Sequence, residues 1–288
     1  LTFLGDMFDG VQCPCILLQL IATGKPLSTA GMMIEDRTRT YTIAMERTVV
    51  PENFSFRMTD EEYRVLEKIK NSIPVCYLAD HADFALGIVT GNNKKFLSAE
   101  KTEHSEMVLK GTDICKYHIN PVKQYLRFEP EQFQQVAPLE IYRAPEKLLY
   151  RFISNQLVVA YDDRQMLSLN SCNIVIPKIE GMQIKYILAI LNSSVSQFVY
   201  RKEFHSIKVL RAHMEHIPIP RVGKAIQNEI IAMTEPLICG MEKEAAETCQ
   251  KRLDCRIMDL FRLSAEEQWI IRHALHLSLI HISEPTRR

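Results

Sequence analysis

The 288-residue chain has no run of about 18 apolar residues, the length a helix needs to cross a bilayer, so no membrane-spanning helix is expected. It opens on Leu1-Thr2-Phe3 without the basic, then apolar, then small-residue order of a secretory leader. Its ten glycines form no glycine-rich strand-to-helix turn, the arrangement that lets backbone approach a nucleoside cofactor such as S-adenosylmethionine. None of its 13 prolines adjoins another. That removes the rigid Asn-Pro-Pro-Tyr turn that holds a flipped adenine during methylation of its amino group. No Asp or Glu has a Lys two positions on, the spacing with which common metal-dependent nucleases address one metal and one water. The residues present support none of these three chemistries. Eight cysteines, at 13, 15, 76, 115, 172, 239, 249 and 255, are too scattered for a disulfide scaffold. They fit a reducing cytoplasm and read mostly as small buried hydrophobes.

Charge is balanced, with 35 Lys+Arg against 35 Asp+Glu, but it is unevenly spread. Residues 143 to 224 hold twelve Lys/Arg against six Asp/Glu, a local excess of six. Such a stretch is either an unevenly charged solvated face or, if its cations gather on one concave surface, a footprint for a polyanion. Other candidate clusters are weaker. Cys13-Pro14-Cys15 and Cys249 with Cys255 have the wrong spacing for zinc. His213 and His216 could share a helical face, yet no third ligand is evident and surface histidines are the simpler reading. Asp80-His81-Ala82-Asp83 reads as a solvated loop.

Periodicity suggests a mixed α/β (α+β) chain. Strands are expected within 11–21 and 39–50. Thr59-Asp60-Glu61-Glu62 is a capping box that predicts a helix over about 60–72. From about 75 to 180 short apolar runs alternate with turns, so this middle reads as mainly β. Ile187, Ile190, Leu191, Val195, Phe198 and Val199 fall at helical spacing and predict one amphipathic helix over 184–203. An extended link, "HIPIPR" at 216–221, follows. Two more helices are expected, one carrying Ile226, Ile230, Met233 and Leu237 with a kink at Pro236, the other carrying Leu253, Ile257, Leu260 and Phe261. Ser264-Ala265-Glu266-Glu267 caps a last short helix. The closing "LSLIHISEPTRR" breaks that pattern and resembles a translated sequencing adapter.

Five segments, in order, resemble the TaqI-like adenine-N6 DNA methyltransferases, including the large type IIG restriction-modification enzymes. "LGIVTGNNKKF" (86–96) resembles the strand and Gly-Asn turn that opens the target-recognition domain, and "LKGTDICKYHIN" (109–120) looks like the next segment. "RAPEKLLYRFISNQLVVAYDDRQMLSLNSCNIVIP" (143–177) is similar to the family's Pro-x-Lys strand pair. "KYILAILNSSVSQFVYRKEF" with "HIPIP" (185–220) resembles its Leu-Asn-Ser helix and closing link. "LDCRIMDLFRLSAEEQWII" (253–271) is similar to the family's ending, except that Arg262 stands where the corner has glycine.

The resemblance implies a β-rich target-recognition domain with C-terminal helices, preceded by the last strands of a Rossmann-like methyltransferase domain. The expected division is 1–58 for the catalytic remnant, 59–221 for the recognition domain, 222–277 for the helical segment and 278–288 for a non-native tail. The chain then reads as truncated at its front, inactive alone and without a cofactor of its own. S-adenosylmethionine would be bound by an upstream methyltransferase domain, and double-stranded DNA would be the partner. The implied DNA-binding residues are Gly91, Asn92, Lys94, Lys95, Lys147, Arg151, Arg164, Asn170, Lys208 and Arg211, with Lys and Arg on phosphates and the asparagines on base edges. The alternative is a subunit-docking module that binds no DNA, which an exposed apolar stripe on the terminal helices would favour.

Overall fold

In the computed structural model, which describes residues 1–8, 13–22, 24, 28–36, 39–47, 56–204 and 206–280 (277–280 by backbone alone), the N-terminal segment forms four short strands. These are β1 (Thr2–Asp6), β2 (Pro14–Leu17), β3 (Met33–Glu35) and β4 (Thr40–Thr42). They lie in the order β2-β1-β3-β4, antiparallel except for β1 beside β3. Ile34, Ile43 and Phe56 form the core of this part. The strand expected over 39–50 is thus confined to Thr40–Thr42, and residues 48–50 lie outside the described residues. Helix α1 (Asp60–Asn71) begins as its sequence predicts. The Thr59 N–H donates to Glu62 Oε2 at 2.8 Å and the Glu62 N–H to Thr59 Oγ1 at 3.2 Å, so two otherwise orphaned donors are satisfied reciprocally. Two units, Leu1–Lys68 and Ile69–Arg288, divide the chain within this helix.

The second unit opens with β5 (Val75–Cys76), β6 (Ala82–Ala85), the one-turn helix α2 (Asn93–Phe96), β7 (Leu97–Ser98), β8 (Glu106–Leu109) and β9 (Tyr125–Leu126). Then come α3 (Leu139–Tyr142), β10 (Lys147–Arg151), β11 (Val159–Asp162), β12 (Leu167–Ser168) and β13 (Cys172–Pro177). The main sheet has the order β11-β10-β13-β6, wholly antiparallel; a smaller one has the order β12-β8-β9-β7. Strand side chains alternate between faces. Leu149, Ala160, Ile174 and Ala85 therefore share one face of the main sheet, and they pack into a single core with Val108, Leu109, Leu126 and Leu167 of the smaller sheet.

On the chain run the helices α4 (Ile184–Asn192), α5 (Ser194–Glu203) and α6 (Arg211–Glu215). Strand β14 (Ile219–Pro220) pairs with β5, and α7 (Lys224–Cys239), α8 (Lys243–Leu260) and α9 (Ala265–Ile280) complete the unit. The single helix expected over 184–203 is two helices, broken at Ser193. Asn192 turns away to pair with β11, accepting from Val159 N–H at 3.1 Å and donating to Val159 O at 2.8 Å. Lys116 Nζ donates to Asn192 O at 3.0 Å, and Asp254 accepts from the Ser194 N–H and hydroxyl at 2.8 Å each. A cation at the end of α4 and a carboxylate at the start of α5 complement the two helix dipoles, which makes the break stable.

Pro236 lies inside α7. Ser264 caps α9 as expected, with its N–H donating to Glu267 Oε2 at 2.7 Å. That helix is 16 residues long and continues through Ile280, past the point where the pattern was expected to fail; 281–288 lie outside the described residues. The cysteines depart from expectation too. All eight are free, but Cys76 and Cys172 are the buried ones, whereas Cys13, Cys239 and Cys255 are exposed. Among the described residues no helix is long and apolar enough to cross a membrane.

Candidate nucleic-acid interface

Two glycines let three loops close on one another. A Cβ on Gly87 would stand 2.1 Å from Leu169 O, and one on Gly111 would stand 2.5 Å from Ser171 O. Any side chain at either position would push the β12–β13 loop away, so the motifs "LGIVTG" and "LKGTDI" hold that loop by having nothing there. Hydrogen bonds complete the joint: Ile88 N–H donates to Ser168 O at 2.7 Å, Asn170 N–H to Ile88 O at 3.1 Å and Gly111 N–H to Ser171 Oγ at 3.0 Å.

The result is a cleft of about 450 Å³ whose polar lining is Asn93, Lys94, Lys110, Gln124, Asn170 and Ser171. Leu97 and Leu169 supply its apolar part, and none of these eight lining residues is acidic. Its two ammonium groups and three carboxamides can meet phosphate oxygens and the paired donors and acceptors of base edges. Of the residues singled out from sequence, Lys94 and Asn170 meet here. Gly91 and Asn92 are exposed in the turn that leads to it, Gly91 with φ at 76°. The Asn92 carboxamide oxygen caps α2, accepting from Lys95 N–H at 3.2 Å. Lys95 itself leans over the Phe96 ring, 4.6 Å from its centroid. Lys110, Gln124, Asn93 and Ser171 were missed. Lys110 stands beside the glycine of a recognised motif and could have been found there; nothing local marks Gln124.

The remaining candidates do not converge. Lys147 is fully buried, 2.6 Å from Asp162 Oδ2, and donates to Tyr142 O at 2.6 Å. Burial pushes its pKa down against the opposing pull of Asp162. A side chain spent in this way cannot reach a phosphate, so the expectation for Lys147 is corrected. Arg151 is a brace: its guanidinium donates to Gly111 O at 2.8 Å and Ile114 O at 2.6 Å, holding the loop behind the cleft. Its expected role as a phosphate contact is corrected likewise. Arg164 and Lys208 are exposed but not among the residues that line the cleft, and Arg211, also exposed, is paired with Glu215 at 2.7 Å.

Of the twelve cations of 143–224, at least five are held by carboxylates. Arg143 pairs with Glu106, Lys178 with Asp83 and Lys185 with Glu235, besides the Lys147 and Arg211 pairs. The lysines of the cleft, Lys94 and Lys110, come from before that stretch. Elsewhere His213 stacks on Phe204, with ring centroids 4.4 Å apart, and His216 is exposed.

Residues 106–219 match the sequence model of the TaqI-like C-terminal specificity domain. No curated protein matches the chain in sequence. Among solved structures, it is similar to the type IIL restriction-modification enzyme MmeI in complex with DNA, at 10% identity and a TM-score of 0.50 over 81% of this chain and 39% of that one. The HsdS subunit from Thermoanaerobacter tengcongensis overlays at 13% identity and a TM-score of 0.38, over 75% of this chain and 50% of that one. The type IIG restriction endonuclease BpuSI does so at 11% identity and a TM-score of 0.39, over 70% of this chain and 33% of that one. The chain therefore spans half or less of the length of each. The likeness to MmeI is one of fold, and the other two overlays are too loose to argue from. Residues 106–219, which contribute Lys110, Gln124, Asn170 and Ser171 to the cleft of this mixed α+β chain, are thus the part that is similar to a TaqI-like C-terminal specificity domain.

Proposed function

We propose that this chain reads the sequence of duplex DNA for a restriction-modification enzyme, with the cleft of Lys94, Lys110, Gln124 and Asn170 turned toward the DNA. One observation carries the reading: the segment similar to a specificity domain supplies lysine and carboxamide side chains to a cleft without a carboxylate among its lining residues. Lysines provide phosphate affinity and register, and carboxamides can bridge the donor and acceptor on adenine's major-groove edge. The finer reading follows from the adenine-N6 family's segments in their order. The parent enzyme methylates adenine, an upstream catalytic domain is this chain's partner, and S-adenosylmethionine is bound there. These 288 residues hold neither the glycine-rich turn nor the Asn-Pro-Pro-Tyr turn, so this reading assigns methyl transfer to that partner. A docking role has less support, because the large hydrophobics exposed after residue 222, among the described residues, are Met241 and Trp269, too few for a stripe.

The test is duplex binding by the 288-residue chain, followed by fluorescence anisotropy across a salt series. Affinity should fall linearly in log–log form as salt rises, and Lys94→Ala and Lys110→Ala should each reduce that slope by about 1. Affinity indifferent to salt would contradict DNA reading. N6-methyladenine at the selected site in DNA of the source cell is the finer expectation; cytosine methylation there would contradict it.

A further inference from the structure

Beside the cleft, two segments far apart in sequence form a short ribbon. Ser154 N–H donates to Ile207 O at 2.9 Å and Val209 N–H donates to Phe152 O at 2.7 Å, with Ile153 directly opposite Lys208. Residues opposite each other in an antiparallel ladder project to the same side. The ribbon adjoins the cleft, since Phe152 N–H donates at 3.0 Å to the carbonyl of Ser171, a lining residue. Val209 anchors it, 1% exposed, while Ile153 is 60%, Ile207 49% and Leu210 41% exposed. Side chains alternate along a strand, so Ile207 and Val209 turn to the face opposite Lys208, and Ile153 is the exposed aliphatic that shares Lys208's side of the ribbon. Among the described residues no carboxylate pairs with Lys208, whereas nearby Arg211 is held by Glu215.

We infer that Ile153 and Lys208 make a second DNA contact continuous with the cleft, Lys208 on a backbone phosphate and Ile153 against the 5-methyl group of a thymine in the major groove. A two-stranded ribbon fits that groove, and the thymine methyl is the apolar feature there that an exposed isoleucine can cover. The positive charge beside the apolar surface suits a polyanion whose base edges carry methyl groups. Ile153 thereby becomes a specificity-determining residue, reading thymine against cytosine or uracil at one position. The inference rests on the DNA-reading assignment above.

The test uses the full chain on a duplex selected from randomised DNA, with each thymine replaced in turn by uracil, which lacks only the methyl group. One replacement should weaken wild-type binding about fourfold, the worth of one buried methyl-sized group. The same replacement should leave the affinity of Ile153→Ala unchanged, and Lys208→Ala should lower the salt slope by about 1. Ile153 is exposed, so the variant's melting temperature should match wild type. Salt-dependent binding in which Ile153→Ala still distinguishes thymine from uracil overturns this inference alone. Absence of duplex binding at every salt concentration overturns the DNA reading together with it.

Discussion

Lys147 Nζ lies 2.6 Å from Asp162 Oδ2, with both side chains fully withdrawn from solvent. The β10–β11 register sets these residues directly opposite each other, on the face that packs into the core. Asp162 also accepts from Arg164 N–H and Met166 N–H, at 2.9 Å each, so one carboxylate organises the turn into β12. Lys147→Ala would leave that carboxylate buried without its cation. We expect a loss of about 3–5 kcal/mol in urea unfolding. A loss below about 1 kcal/mol would show the pair to be dispensable.

Arg151→Ala removes both charge-assisted hydrogen bonds to the 111–114 loop. The expected cost is about 1.5–3 kcal/mol, with faster amide exchange in residues 109–115 than elsewhere in the domain. Uniform exchange in the variant would argue against its role as a local brace.

Gly87→Ala should be among the most damaging small substitutions, because its Cβ would lie 2.1 Å from a backbone carbonyl that cannot rotate aside. A destabilisation of at least about 3 kcal/mol is expected, read as a lowered unfolding midpoint. An unchanged midpoint would mean that the β12–β13 loop is not clamped here.

Arg262 stands where the resembling family has glycine, and its φ of 54° is left-handed. Leu263 N–H donates to Met258 O at 3.2 Å and Arg262 N–H to Asp259 O at 3.0 Å, the two bonds of a Schellman motif that closes α8. The motif is therefore kept with a residue that strains it. Arg262→Gly should stabilise the chain by about 0.5–1 kcal/mol, a gain of a few degrees in Tm. A lower Tm would show that the guanidinium does something the backbone does not reveal.

Burial pushes the Asp254 carboxyl pKa up from its ordinary 3.8, against two hydrogen bonds from Ser194 and the charge of Lys116. The folded chain therefore holds this proton more tightly than the unfolded chain. The resulting stability is complete below about pH 3.8 and is lost as pH rises through the folded-state value. Asp254→Asn cannot titrate, so wild-type stability minus that of the variant should fall as pH rises across this window. A difference independent of pH would contradict a raised pKa.

Much of the local structure was legible. The helix starts at Thr59 and Ser264 were found because each is closed by partners three residues away. The break at Ser193 was not, because Lys116 and Asp254, which stabilise it, lie 76 and 60 residues from the groups they bind. Part of the site was legible as well. Lys94 and Asn170 stood out in segments that resemble a family, but their meeting depends on Gly87 and Gly111 admitting a distant loop. Counting cations over 143–224 decided little, since a surplus along the chain says nothing about which cations find carboxylates: Arg143 finds Glu106, 37 residues away.

By itself, the sequence determined the helix caps, the main-sheet strands of 147–177 and the order of segments that resembles a specificity domain, because hydrogen bonds between near neighbours and side-chain periodicity are written locally. Only the tertiary structure decided that Lys147 faces the core while Lys94 and Lys110 face a cleft. Strand register assigns each side chain to a face, and long-range ion pairing decides which charges remain for a ligand.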